Sequence, residues 1–168
     1  HSMTELFSAP RMARAAALLD ALHAHGWMLA GAESCTGGLV SALLTEIPGS
    51  SRVFTHGYIT YANAAKREML GIAPELLQQY GAVSAPVARA MAEGALSRAQ
   101  AQVAFAITGI AGPGGATAEK PVGRVHLAVA RHGSPALHRE CQFFGGRRAV
   151  RVQALDAVLS LLETALPT

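Results

Sequence analysis

The chain has 168 residues, of which 51% are hydrophobic and 15% charged, with a formal net charge of +3 and two cysteines. A chain of this size buries roughly 70% of the surface its unfolded form exposes, so it is read as one domain over residues 1–168 with a large core and no room for a second catalytic domain. That balance argues against disordered, nucleic-acid-coating and disulfide-scaffold classes and places function in a pocket.

Basic residues are scattered without interleaved aromatics, so no nucleic-acid partner is expected. No apolar run reaches the ~18 residues of a membrane helix and the start lacks a signal-peptide pattern, so the expectation is a cytoplasmic protein away from the membrane. His1 and Ser2 ahead of Met3 look like a tag remnant. Cys35 and Cys141 are too few for a zinc site, and the seven histidines include no H-E-x-x-H spacing, so no metal is expected. His23 and His25 read as a solvated helix end.

In chain order, Pro10 to His25 reads as a helix with Met12, Ala16, Leu19 and Leu22 on one side, Ser8 as N-cap and Gly26 as its stop. WMLAGAES follows as a short buried strand, and CTGGLVSALLTEIPG resumes helical character until Pro48-Gly49. Arg52 to Tyr61 is rich in β-branched and aromatic residues and reads as a second strand. Two short helices stopped by Gly71 and Gly81 come next, then a helix opened by Ser84-Ala85-Pro86 with Val87, Met91 and Ala95 on its inner face. AQVAFAITG is a fully buried third strand that runs into the loop GIAGPGGATAEKPVG. VGRVHLAVA and LHRECQFF form a hairpin around His132 to Pro135, and Arg148 to Leu166 closes the chain as a helix with Val150, Ala154, Val158, Leu161 and Ala165 in one stripe. Helices before, between and after strands imply a layered α/β/α domain, parallel at the crossovers and antiparallel at the hairpin.

Three segments carry candidate chemistry. Ser34-Cys35-Thr36-Gly37-Gly38 sits where the first strand gives way to a helix, so unpaired N–H groups and the helix dipole can meet a phosphate or an oxyanion there; an ordinary N-cap and turn is the bland alternative. The loop from Thr108 to Gly115 fails as a Walker A motif and as G-x-G-x-x-G, yet is a second strand-end loop able to line a ligand. Lys66, after the second strand, is by itself more simply a surface lysine; only a partner nucleophile would make it a base.

Read together, A-E-S-C-T-G-G (32–38), G-S-S (49–51), T-Y-A-N-A-A-K (60–66), G-A-V-S (81–84), G-I-A-G-P-G-G (109–115) and E-K-P-V-G (119–123) resemble the family of the CinA C-terminal domain, in matching order over residues 32–151. The resemblance implies a three-layer α/β/α sandwich with a mixed, mainly parallel five-stranded sheet. It also implies hydrolysis of nicotinamide mononucleotide, the small-molecule partner, to nicotinic acid mononucleotide and ammonia without a cofactor. On this sequence Ser34 becomes the nucleophile, Lys66 its general base, and Tyr61 completes the catalytic group. Glu33, the turn Thr36, Gly37 and Gly38, and Thr108, Gly109, Gly112, Gly114 and Gly115 of the loop would hold the substrate, with Arg147 and Arg151, four apart on the last helix, facing its phosphate. Gly146 stands where the family motif F-x-G-D-R carries Asp, which removes an acceptor that could orient Arg147. Cys35 is the rival nucleophile, since a thiol at a helix start can be acidified. A nucleotide-binding module without turnover and an amidase for another small amide are the alternative readings. Apolar surface on the long helices is compatible with a homo-oligomer.

Overall fold

Alternation of side chains along the strands sets the layers of this protein. The computed structural model describes residues 5–167, so the reading of His1 and Ser2 concerns positions outside the described residues. In that range the elements are α1 (Ala9–Ala24), β1 (Leu29–Glu33), α2 (Leu39–Glu46), a 3-10 turn (Ser50–Arg52), β2 (Phe54–Ile59), α3 (Asn63–Leu70), α4 (Pro74–Tyr80), α5 (Ala85–Ala99), β3 (Val103–Gly109), β4 (Arg124–Arg131), β5 (Ser134–Gln142) and α6 (Arg147–Thr164). The five strands form one sheet in the order β2-β1-β3-β4-β5. β2, β1 and β3 pair in parallel, and β4 runs antiparallel to both neighbours, so four of the five strands point the same way.

On the inner strands, large and small residues alternate. Leu29, Val103, Phe105, Ile107, Val125, Leu127 and Val129 face one side, where they meet α1, α2 and α6. Ala30, Ala32, Ala104, Ala106, Ala128 and Ala130 face the other, and this shallow surface lets α5 lie close through Val87, Ala88, Met91, Ala92 and Ala95. The large face requires one glycine: a Cβ on Gly31 would fall 2.0 Å from the Phe105 ring. The result is the expected three-layer sandwich with a mixed sheet. Among the described residues no helix is long and apolar enough to cross a membrane.

Element ends follow local chemistry. Ser8 caps α1 by accepting from the Arg11 N–H, and Gly26 takes a positive φ of 69° just beyond its end, as expected. The buried stripe of α1 is Ala15, Leu18, Leu19 and Leu22, with Met12 only half-buried, so the expected face is turned by one residue at Ala16. β5 begins at Ser134, three residues before the expected Leu137, because an edge strand tolerates Pro135 on its open side. Arg11 clasps Asp156 with two hydrogen bonds, 2.7 and 2.9 Å long, and pins α1 to α6.

The site is prepared by topology. β1 has parallel neighbours on both sides, β2 reached through α2 and β3 reached later through α3 to α5, so their carboxyl ends open at the switch point typical of ligand crevices. Ser34 follows β1, Tyr61 follows β2, and Thr108 and Gly109 end β3.

Candidate active site

Ser34 is held between two strand ends. Its N–H donates to Ile107 O at 3.0 Å, extending the β1–β3 pairing, and the Thr60 N–H donates to Glu33 O at 2.9 Å, extending β1–β2. The chain then reverses through Cys35 to Gly38, with φ of 59° at Gly37 and 103° at Gly38, conformations that only glycine adopts without strain. α2 therefore starts at Leu39, four residues later than a helix running from Cys35.

Lys66 reaches the same point from α3. Helical side chains tilt toward the helix N-terminus, and here that brings Nζ back to the residues preceding α3. Nζ donates to Thr60 O at 2.9 Å, to Tyr61 O at 3.3 Å and to Ser34 Oγ at 3.1 Å. The side chain is only 1% exposed. Burial pushes its pKa below that of a free lysine, because the charged form loses its hydration.

Around this pair lies a pocket of about 180 Å³. Ser34, Lys66, Tyr61, Thr108, Gly109 and Arg147, all expected site residues, line it. The Thr108 hydroxyl donates to Ala82 O at 2.9 Å, which ties the Gly81 to Ser84 segment over the pocket. Tyr61 is 60% exposed at the mouth, where its hydroxyl accepts from Arg147 Nη2 at 2.8 Å rather than reaching Ser34. Arg147 Nη1 donates to Gly112 O at 2.7 Å. Tyr61 and Gly112 thus orient Arg147 in the absence of an Asp at 146, and Gly146 serves only as the N-cap of α6, without a side-chain bond.

Other expected residues sit elsewhere. Glu33 does not face the pocket: it is fully buried, and its carboxylate accepts from Thr36 Oγ1, Val40 N–H, Ser41 N–H and Ser41 Oγ. Successive residues at a strand end point to opposite sides, and with Ser34 turned to the pocket, Glu33 turns under α2. It caps α2 in place of any ligand, so the helix dipole expected to face the substrate is already met by a carboxylate. Thr36, Gly37 and Gly38 build the turn without lining the pocket, and Gly112, Gly114 and Gly115 also stay off its wall. Arg147 and Arg151 bond to different partners. Arg151 instead donates from Nε to Cys35 O at 3.1 Å and from Nη2 to Thr36 O at 3.0 Å, bracing the turn.

Cys35 lines the pocket, but burial raises its thiol pKa to about 11, so the acidified-thiol expectation does not hold. α2 begins too far along, and its dipole is spent on Glu33. Asn63, Ala82, Val83 and Ala111 also line the pocket. Ala111 belongs to the loop expected to line a ligand, and Asn63, Ala82 and Val83 lie within T-Y-A-N-A-A-K and G-A-V-S, so the motifs are the signal that marks them. Among the described residues, the N–H of Cys35, which follows Ser34 on the pocket wall, donates to no other residue. No group of three or more metal-ligating side chains occurs among the described residues.

The CinA C-terminal domain profile matches residues 12–166. A protein of Enterobacter agglomerans named nicotinamide-nucleotide amidohydrolase PncC is 52% identical over 146 residues, covering 87% of each chain. A CinA-like protein of Syntrophobacter fumaroxidans is 50% identical over 143 residues; this chain is covered to 85% but spans only 34% of that longer relative. Among solved structures, the competence/damage inducible protein CihA from Agrobacterium tumefaciens superposes with a TM-score of 0.92 at 45% identity, covering 96% of this chain and 98% of that one. A CinA superfamily protein from Escherichia coli gives 0.90 at 32% identity, covering 98% and 96%.

Proposed function

Since the chain belongs to the CinA C-terminal domain family, we propose that it hydrolyses the carboxamide of nicotinamide mononucleotide, with Ser34 as nucleophile and Lys66 as general base. The observation that carries this reading is the buried contact of 3.1 Å between Lys66 Nζ and Ser34 Oγ. A buried amine with a lowered pKa offers its lone pair at lower pH than a free lysine does, and the adjacent hydroxyl is then the proton donor.

Lys66 takes the Ser34 proton as Oγ attacks the amide carbon. The oxyanion that forms is met by the unpartnered N–H of Cys35 on the pocket wall, a contact worth about 2.7–4 kcal/mol in comparable sites. The proton on Lys66 passes to the departing nitrogen, which leaves as ammonia. Water then attacks the acyl-serine, Lys66 again accepts the proton, and the acid is released with Ser34 restored. A pocket of about 180 Å³ is smaller than the range of roughly 300–1,000 Å³ for a whole small-molecule site, so the amide-bearing ring enters and the nucleotide remainder extends past the mouth. There Arg147, held by Tyr61 and Gly112, offers its charge to the phosphate.

The test is ammonia release from nicotinamide mononucleotide by the purified protein, repeated with Ser34→Ala. Turnover that depends on Ser34 supports the proposal. Substrate binding without ammonia release would favour a binding module, and release from other amides at greater efficiency would favour a different amidase.

A further inference from the structure

The structure contains a second cavity, of about 380 Å³, that shares no lining residue with the catalytic pocket. α6 contributes Arg148, Arg151, Val152 and Leu155, a spacing of three, four and seven that puts them on one helix face. Phe7 and Leu39 add apolar lining. Its volume lies within the usual range for small-molecule sites, roughly 300–1,000 Å³.

We propose that this cavity binds a small organic anion with an apolar body, and that Arg151 conveys its occupancy to the turn carrying Ser34. Charge is the first argument. Neither Arg148 nor Arg151 has a carboxylate partner among the described residues, and like charges three apart on a helix repel. Arg11 also reaches the cavity, but Asp156 neutralises it, and among the described residues Glu5 is the only acidic one in the lining. Three arginines against Asp156 and Glu5 leave one positive charge, which suits a monoanion. The planar guanidinium fork matches carboxylate, sulfonate or phosphate-ester oxygens. The apolar walls require the rest of the ligand to be hydrocarbon or aromatic.

Arg151 supplies the link. Nε and Nη2 are committed to Cys35 O and Thr36 O, while Nη1 has no partner among the described residues. An anion accepting from Nη1 leaves the other two bonds in place and restrains the guanidinium. A restrained guanidinium holds the turn, and with it Ser34 and the Cys35 N–H. By linkage, substrate must then tighten the anion by the same factor by which the anion tightens substrate.

The experiment uses the fluorescent anion anilinonaphthalenesulfonate with the full chain, beside N-phenylnaphthylamine, which has the same apolar body without the charge. Arg148→Ala and Val152→Trp serve as variants, each checked for an unchanged melting transition. One dye per chain should bind, about tenfold more weakly in Arg148→Ala and without the sulfonate, and not at all when Trp fills the cavity. Equal binding by all three proteins, or by charged and uncharged dyes, overturns the site. A shift in oligomeric state on Val152→Trp also overturns it, because the face would then be a contact between copies. At saturating dye and substrate well below KM, the rate of ammonia release should rise by about fivefold in wild type and stay unmoved in Val152→Trp. An unchanged or lowered wild-type rate overturns the coupling. The coupling rests on the amidase reading, whereas dye binding does not, so a protein that releases no ammonia leaves the site test intact.

Discussion

Replacing Glu33 by Gln separates a residue that builds the nucleophile turn from one that touches substrate. Each carboxylate oxygen accepts two hydrogen bonds: one takes Thr36 Oγ1 at 2.7 Å and Val40 N–H at 3.0 Å, the other Ser41 N–H at 2.9 Å and Ser41 Oγ at 2.6 Å. An amide keeps one such oxygen and presents an NH2 group in place of the other. The hydroxyl on that side can rotate to accept, but the backbone N–H of Val40 or Ser41 then meets a donor and is left unpaired in a buried position. Losing charge-assisted bonds and orphaning one donor costs about 2–4 kcal/mol. For a domain of this size that lowers Tm by roughly 4–16 °C. Because Ser34 is the next residue, displacement of the turn should also lower kcat by about tenfold or more while KM changes little. Thermal melting followed by circular dichroism, together with kcat and KM for ammonia release, provides both readouts. A Glu33→Gln protein with wild-type Tm and kcat but raised KM would refute this reasoning and restore Glu33 to the substrate.

Ser34→Ala should abolish ammonia release while Cys35→Ala keeps most of it, since a thiol with a pKa of about 11 is protonated at neutral pH; the reverse pattern in steady-state assays would make Cys35 the nucleophile. Lys66→Arg should be as inactive as Lys66→Ala, and the wild-type kcat/KM should rise with pH through a midpoint below the ~10.4 of a free lysine, because the neutral amine is the active form of the proposed base. His126, buried and hydrogen-bonded to His138 at 2.9 Å, has its pKa lowered to about 4, chiefly by desolvation and then by its neighbour. Its neutral form is favoured on folding, so that stability is intact above pH ~6.5 and is lost as pH falls toward 4, on the order of 3 kcal/mol, a slope that His126→Phe should flatten in denaturant titrations. Gly146→Asp should raise Tm by a few degrees at most, because the N-cap of α6 has an extended backbone and open space where an added Cβ would sit, and Asp caps better than Gly by about a few tenths of a kcal/mol.

Sequence patterning carried far in the sheet and much less far in the site, for the same geometric reason. A continuous apolar run identifies β3, since burial of Ala104, Phe105 and Ala106 alike requires a central strand, and β-rich runs on either side of a turn identify the hairpin. Which side of a strand faces ligand is not contained in those patterns. Glu33 and Ser34 are consecutive, one turns under α2 and the other into the pocket, and only packing of the whole chain decides between them. Arg147 and Arg151 fail differently. Their spacing correctly puts them on one helix face, but a long side chain with five donors bonds whichever acceptors the fold presents. The turn carbonyls of Cys35 and Thr36 lie within reach of Arg151, and Gly112 O lies within reach of Arg147. Ser34 and Lys66 are 32 residues apart, so no local spacing could have paired them; only the resemblance across several motifs did.

The Lys66 contacts also explain why a proton can move there without rearrangement. As an ammonium, the group has three N–H bonds for Thr60 O, Tyr61 O and Ser34 Oγ. As an amine it keeps two N–H bonds for the carbonyls, which can only accept, and turns its lone pair to the hydroxyl, which can also donate. Both protonation states therefore satisfy the same three partners, and only the Ser34 hydroxyl hydrogen changes direction. With hydrogen bonding balanced between the states, desolvation shifts the balance toward the amine, the state that can accept the Ser34 proton. Removing one carbonyl from reach should disturb this more than removing a charge nearby. In the proposed mechanism, burial of Nζ is thus the feature that would turn an ordinary lysine into a base.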